Sequence, residues 1–395
     1  MSERLILTGG MVITPDGMYE SGSVVIEGAQ IAAISPRTYL TGSASDEITI
    51  DVRDQFILPG LICLHNDAIE KAINPRPGAN FPADLALLSL DRALATAGVT
   101  TQFHALSFYG MPGKERTIAW AEKMRETITT FQASRYGLVD HYVLFRCDVR
   151  QPGSLDAILA HIDDGPVKLV SLDDHVPGQG QMRDVARAFA QLQPDLRPDM
   201  TEEAWQAERV AFMRASEGQI AQTYKRVSHA AHTRGFTLMS HDDDTIEKVE
   251  AMSQLGCRIA EFPVTVEAAR HAHAVGMRVS VGAPNVVRGG SLSGNINAVT
   301  LAREGLIDIL IADYHAPSLL PAAFRLAREG VMSLPEAVAM ITATPAGAAM
   351  LTDRGALEPG QRADVIVVRM QGEVPVVTQL FRAGEAQYMA PVPLP

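Results

Sequence analysis

Across the middle of the chain, eight short apolar runs alternate with stretches of helical character, a rhythm that few folds accommodate. The runs are LICLHND, VTTQFHAL, YVLFRCDV, VKLVSLDDH, FTLMSHDDD, RIAEFPVT, RVSVGAPN and DILIADYHA, in that order. Strands buried on both faces read as continuous hydrophobic runs rather than as an alternation. Helical candidates fall between them, among them FPADLALLSLDRALATAG, TIAWAEKMRETITTFQAS and the long EEAWQAERVAFMRASEGQIAQTYKRVSHAAHTRG. Eight strand-helix units over roughly residues 58 to 330 predict an α/β chain folded as a TIM (β/α)8 barrel.

The two flanks have another texture. From Leu5 to Ile57, short β-rich runs (LILTG, MVIT, SVVIEG, QIAAIS, FILPG) are broken by Gly, Pro, Asp and Ser. The same texture returns in RADVIVVRM and VPVVTQLFRAG after the turn-rich DRGALEPGQ. Both chain ends are therefore expected to build one small β-sandwich domain. The expected limits are 1–57 for its N-terminal part, 58–340 for the barrel and 341–395 for its C-terminal part. At 395 residues and 47% hydrophobic, the chain has material for such a core, and an α/β barrel of about 250 residues forms one unit. No solenoid-length repeat or low-complexity segment interrupts the pattern.

The charge balance excludes some functions. With 34 Lys and Arg against 46 Asp and Glu, a net charge of −12, the chain lacks the broad basic footprint that nucleic acid or an anionic membrane requires. Cys63, Cys147 and Cys257 are odd in number and widely spaced, which fits neither a disulfide framework nor a zinc finger and points to a cytoplasmic setting. The start MSERLILTGGMVITPDG has no signal-peptide pattern and no run of 18 apolar residues occurs, so neither export nor membrane spanning is expected. A homo-oligomer stays open.

Polar residues gather at one end of the runs. Each run closes on its C-terminal side in groups that can ligate a metal or move a proton: His65 and Asp67, His104, Asp148, Asp173 to His175, His241 to Asp244, Glu261, Asn285, and Asp313 with His315. In a TIM barrel those ends converge on the face that carries the active site. One polar strand end is ordinary loop hydrogen bonding, whereas several His and Asp converging favour a site. In His65-Asn66-Asp67 the i, i+2 spacing puts the outer two side chains on one face of a strand, able to hold a metal ion.

The frame PGLICLH, the strand-five His241 and the strand-eight Asp313 make the chain resemble the amidohydrolase superfamily. Its members join a β-sandwich made from both chain ends to a metal-dependent barrel. Two positions depart from that pattern: Asp67 replaces the second His of the strand-one HxH, and Glu261 stands where a strand-six His is expected. Both shift the site toward oxygen ligands. A narrower likeness accounts for them. The segments HNDAIEKAINPRPG, LVSLDDHVPGQ, SHDDDT, AEFPVTVEAA, GAPNVVRGGSLSGN and DILIADYHAPSLL together resemble the diphosphatases that act on α-D-ribose 1-methylphosphonate 5-triphosphate in the carbon-phosphorus lyase pathway. The resemblance implies hydrolysis at the α-phosphorus of a small phosphorylated sugar phosphonate, giving pyrophosphate and the 5-phosphate in alkylphosphonate degradation.

That chemistry needs a nucleophilic water and an offset for negative charge on the phosphoryl group, and divalent metals supply both. One or two ions are expected, with Zn, Mn, Fe and Mg not distinguished by the sequence. His65, Asp67, His241 and Asp313 are the first-rank ligands, and Asp313 and His241 are the expected catalytic residues, Asp313 alternatively as a general base. The bridging ligand is Asp148, at the place of the family's strand-three carboxylate, or Lys168, where many amidohydrolases carry a carboxylated lysine; Asp148 is favoured. His175 is a further ligand or substrate contact, and Glu261 and His104 come after it. For the polyanion, VVRGGSLSGN offers Arg288 as a bidentate grip, Gly289 and Gly290 for close backbone approach, and Ser291, Ser293 and Asn295 as donors. Arg76, Lys71, Gln179 and Gln181 are further substrate contacts.

Two other readings stand beside this one. A cyclic amide hydrolase or deaminase of the same superfamily would use Lys168 as a bridging carbamate. A non-catalytic barrel in a phosphonate-processing assembly would need no metal. The stretch 201–235 reads as a helix solvated on one face, and the cysteines read as core.

Overall fold

The computed structural model describes residues 4–38, 47–76, 78–110, 116–134, 136–192, 199–291 and 296–390. The N-terminal strands are β1 (Arg4–Thr14), β2 (Gly17–Glu27), β3 (Gln30–Ser35), β4 (Glu47–Asp51) and β5 (Phe56–Pro59). All eight apolar runs then form strands: β6 (Leu61–Asn66), β7 (Val99–Ser107), β8 (Asp140–Asp148), β9 (Leu169–Asp173), β10 (Thr237–His241), β11 (Cys257–Glu261), β12 (Arg278–Gly282) and β13 (Ile309–Ile311). The last strands are β14 (Val365–Gln371), β15 (Val374–Arg382) and β16 (Glu385–Met389).

Strands β6 to β13 lie in one sheet in strict sequence order. The neighbours β8 with β9, β9 with β10, β10 with β11 and β11 with β12 pair in parallel, and a parallel bridge joins Asn66 to Asp313. Sequential parallel strands separated by helices are the TIM-barrel repeat. A second sheet runs β16-β15-β14-β5-β1-β2-β3, with β4 on β1. It is the expected domain built from both chain ends.

The chain packs as two compact units, Met1–Phe103 with Phe131–His141 and Leu310–Pro395, and His104–Thr130 with Tyr142–Ile309. This division runs through the barrel strands rather than at residues 57 and 340.

In the first unit, β5 pairs antiparallel with β14 from Pro59 opposite Val365 to Phe56 opposite Val368, which ties the two chain ends together. Leu7, Val24, Ile26, Ile57, Val365, Val367 and Phe381 close over this sheet as a buried apolar cluster. Gly60 passes so close to Thr100 that a Cβ there would overlap its side chain, which is why the chain turns from β5 into β6 on Pro-Gly. Asp140 is a charge hub, with Arg354 and Arg362 nitrogens each 2.6 Å and an Arg382 nitrogen 2.9 Å from its carboxylate.

In the second unit, two successive strand-to-helix loops repeat one design. After β10 and β11 come the left-handed residues Asp242 (φ 55) and Phe262 (φ 53). Their N–H groups extend the ladders to Glu261 O and Ser280 O, both at 2.9 Å. Three residues further on, Thr245 and Thr265 cap the helices Ile246–Gln254 and Val266–Ala274 by accepting from the Lys248 and Ala268 N–H groups. The long helix Glu202–Arg234 starts on Thr201 and stops at left-handed Gly235. It buries Trp205, Ser216, Thr223, Val227 and Ala230 and exposes its charged face, as expected. Among the described residues, no helix is long and apolar enough to cross a membrane.

Candidate metal centre

Strands β8 to β11 close on polar side chains in the second unit: Arg146 and Asp148, Ser171 and Asp173, His241, and Glu261. His241 ends β10 directly opposite Glu261, which ends β11. Glu261 is fully buried; its Oε2 accepts from His241 Nδ1 at 2.8 Å and lies 3.2 Å from Ser171 Oγ. A histidine held this way at one nitrogen turns the other, Nε2, outward as a ligand atom.

His241 Nε2, His175 Nε2 and the Asp242 carboxylate converge, with ligand atoms all within 4.8 Å of one another. Asp242 Oδ2 is 3.2 Å from His175 Nε2 and 3.6 Å from His241 Nε2. Ligand atoms at the usual bond length around a tetrahedral ion stand about 3.4 Å apart, so the spacing fits a divalent cation. The local field points the same way. Burial opposes charge on His241, yet Asp242, Asp173 and Glu261 outweigh it and lift the imidazole to about 9.

Asp173 ends β9 opposite Asp148 of β8. Its Oδ2 accepts from Tyr109 OH and from Arg146 Nη2, each at 2.8 Å. Burial alone would raise this carboxyl; Arg146, His241 and His175 overcome that and hold it at about 2. Arg146 Nη2 also lies 3.4 Å from His241 Nε2. Burial first, then Asp173 and Asp174, push the Asp148 carboxyl above its ordinary range. Its oxygens accept from Arg150 N at 2.8 Å and Gln151 Nε2 at 3.2 Å.

The first unit gathers the other expected ligands. Asp313 N–H donates to His65 O at 3.0 Å, and Asp313 O accepts from Asp67 N–H at 2.9 Å. His65, Asp67 and Asp313 thus share one edge, His65 buried and the two carboxylates half-buried. Asp313 has φ 56, a left-handed strand end costing about 1–2 kcal/mol for a residue with a side chain. Asp67 opens the helix Ala68–Ile73 without a side-chain capping bond, which leaves its carboxylate free for another role.

Other expected residues are placed differently. Lys168 precedes β9, at the end opposite Asp173, and its Nζ lies 2.5 Å from Asp163 Oδ1. Five residues of extended chain, about 16 Å, separate it from the strand end where a bridging carbamate would have to sit. Arg288 is exposed at the C-terminal end of the short helix Ala283–Arg288. The N–H groups of Gly289 and Gly290 both donate to Asn285 O, at 3.0 and 3.1 Å, so the backbone donors expected for phosphate are taken up in closing that helix. Ser291 follows, half-buried; Ser293 and Asn295 lie outside the described residues. Gln179 donates to Asp174 O at 3.0 Å, and Gln181 sits in the turn Gly180–Met182. Lys71 and Arg76 are exposed in the first unit.

From sequence, Asp242 stands only within the strand-end group His241 to Asp244, and Arg146 and Tyr109 are not among the candidates. Arg146 carried a signal: a charge two positions before Asp148, on the same face of an otherwise apolar run, demands a buried carboxylate partner.

No protein-family model matches the chain. It is 35% identical over 370 residues, 92% of this chain and 95% of the relative, to α-D-ribose 1-methylphosphonate 5-triphosphate diphosphatase from Escherichia coli (strain K12). It is 25% identical over 425 residues, 92% of this chain and 89% of the relative, to dihydroorotase from Syntrophotalea carbinolica. Among solved structures, dihydropyrimidinase from Brevibacillus agri NCHU1002 aligns with TM-score 0.63 at 13% identity, covering 98% of this chain and 95% of that one. A triazine hydrolase variant aligns with TM-score 0.65 at 14% identity, covering 99% and 96%. At such identities the structural likeness speaks for the fold alone. Barrel and sheet are those of the amidohydrolase fold, a TIM barrel with a β-sandwich domain. The nearly full-length identity carries the assignment further: the chain belongs to the α-D-ribose 1-methylphosphonate 5-triphosphate diphosphatase family.

Proposed function

We propose that this protein hydrolyses α-D-ribose 1-methylphosphonate 5-triphosphate to the 5-phosphate and pyrophosphate. The observation that carries the proposal is the 35% identity over 92% of the chain to a curated diphosphatase of that specificity. The 3.2 and 3.6 Å donor spacings around Asp242 support the divalent ion such a reaction needs. When bound, that ion supplies Lewis-acid polarisation of the phosphoryl group and activation of water.

The chain's own groups have separate tasks. His175, His241 and Asp148 in the second unit, and His65, Asp67 and Asp313 in the first, are proposed as ligands, with Asp242 joining them on its geometry. Asp313 is the proposed proton acceptor for the attacking water. Glu261 fixes the tautomer of His241, so its Nε2 meets the ion and not a proton. Arg288, Lys71 and Arg76 are proposed for the anionic groups of the substrate, with Gln179, Gln181 and Ser291 as polar contacts. The domain limits 1–57, 58–340 and 341–395 remain the proposed organisation, a barrel inserted between two halves of a sandwich.

The amide-hydrolase alternative has the dihydroorotase likeness in its favour. Its expected bridging lysine, Lys168, pairs instead with Asp163 at the far end of β9. Incubating the metal-loaded protein with the ribose 5-triphosphate tests the proposal. Pyrophosphate and 5-phosphate should appear in equal amounts. Stepwise orthophosphate release, or ring opening of dihydroorotate with no pyrophosphate formed, would overturn it.

A further inference from the structure

The long helix Glu202–Arg234 brings a cation to the loop that follows β9. Arg209 donates from Nη2 to His175 O at 2.8 Å, and its guanidinium lies 4.8 Å from the Phe212 ring centroid. The same helix meets the loop after β8, where Arg150 Nη1 reaches Met213 O at 3.4 Å. Arg150 is committed, with Nε and Nη2 at 2.5 and 3.1 Å from the two oxygens of Asp174. Asp148, also nearby, has both oxygens engaged by Arg150 N and Gln151 Nε2. Arg209 therefore stands among carboxylates that already have partners, and among the described residues it forms no ion pair of its own.

A guanidinium carries five N–H donors in a planar fork. On Arg209 one is used by a carbonyl, and the guanidinium carbon lies over the Phe212 ring. Burial and the like charge of Arg150 disfavour its cation, against the pull of Asp148 and Asp174. A half-buried guanidinium whose neighbouring carboxylates are engaged by Arg150 and Gln151 keeps donors for an incoming anion. His175 links the two features, since its side chain belongs to the metal donors and its carbonyl holds Arg209.

We propose that Arg209 binds the polyphosphate of the substrate, gripping the phosphates beyond the one that meets the His175, His241 and Asp242 donors. This inference rests on the triphosphate reading above and adds to it a specificity residue from the helix 202–234. Its planar fork favours a chain of phosphates over a neutral ring amide.

The test uses inorganic tripolyphosphate as the probe. Its binding to metal-loaded wild-type protein, Arg209→Ala and Arg209→Lys is measured by calorimetry, alongside the metal content of each preparation and the KM for the ribose 5-triphosphate. We expect Arg209→Ala to weaken tripolyphosphate binding and raise KM by about 10- to 100-fold, the range for a charged hydrogen bond, with metal content unchanged. Arg209→Lys should recover part of the loss, because it keeps the charge but not the fork. Unchanged binding in Arg209→Ala overturns the inference. So does loss of metal in parallel with loss of binding, because Arg209 would then act only by holding the His175 loop. If wild-type protein binds tripolyphosphate through Arg209 but releases no pyrophosphate, the substrate assignment fails while the anion site stands.

Discussion

Glu261 and His241 end adjacent parallel strands in direct register, and the 2.8 Å bond between Oε2 and Nδ1 ties their side chains together. A strand-end position that the superfamily pattern gives to a histidine ligand here holds a carboxylate that acts on the neighbouring histidine instead. Removing it with Glu261→Ala should weaken metal binding by about 10- to 100-fold, the usual cost of losing a partner behind a ligating histidine. Glu261→Gln keeps an acceptor oxygen and should lose less. Chelator competition measures both, and equal affinity in wild type and Glu261→Ala would refute the positioning role.

Gly180 protects the same centre from another side. Its φ is 53, and a Cβ there would stand 3.1 Å from both Cβ and O of Asp242. Gly180→Ala must therefore place a side chain in the left-handed region, costing about 1–2 kcal/mol, and displace Asp242 from the two histidines. We expect a lower melting temperature together with weaker metal binding. A variant that melts earlier but keeps its metal affinity would show that Asp242 is not a ligand.

The barrel was legible because parallel strands buried on both faces leave an uninterrupted apolar signature, and β6 to β13 follow the eight runs one for one. The direction of polar strand ends was legible for the same reason, as with His241 and Asp173. What the sequence hides is backbone conformation. Asp242 enters the donor set because its φ of 55 swings it back over the strand end, and nothing in SHDDDT separates it from Asp243, which is drawn aside to Ser240. RGG reads alike as a phosphate loop or as a helix terminus; in the structure Gly289 closes a helix at φ 80. Register along a run is invisible too: Lys168 stands before β9, not within it.

The contrast between Lys168 and Asp148 can be measured directly. Lys168 interacts with Asp163 near the surface, a pair of the kind worth about 0–1 kcal/mol. Lys168→Ala should therefore keep turnover within about twofold of wild type. Asp148→Ala removes a buried carboxylate opposite Asp173 and should lower turnover by about 10-fold or more through weakened metal binding. The reverse ranking would restore a carboxylated lysine and the amide-hydrolase reading with it.

Asp140 gives a stability prediction separate from catalysis. Burial works to raise its carboxyl, but Arg362, Arg354 and Arg382 outweigh burial and hold it below its ordinary 3.8. A folded-state value below the unfolded one means that stability is contributed in full above the unfolded value and disappears as pH falls through the folded one. Asp140→Asn removes the anion shared by Arg354, Arg362 and Arg382, of which the first two keep Asp353 and Asp364, and should cost about 1.5–3 kcal/mol at neutral pH, the range for a charged hydrogen bond. Urea unfolding from pH 7 down to 3 should show a constant gap between wild type and variant until the pH drops below the ordinary carboxylate value. From there the gap should narrow, because unfolding of the wild type is then favoured by proton uptake at Asp140 in the unfolded chain. A gap that stays constant to pH 3 would mean that the hub acts through packing and hydrogen-bond geometry rather than through charge.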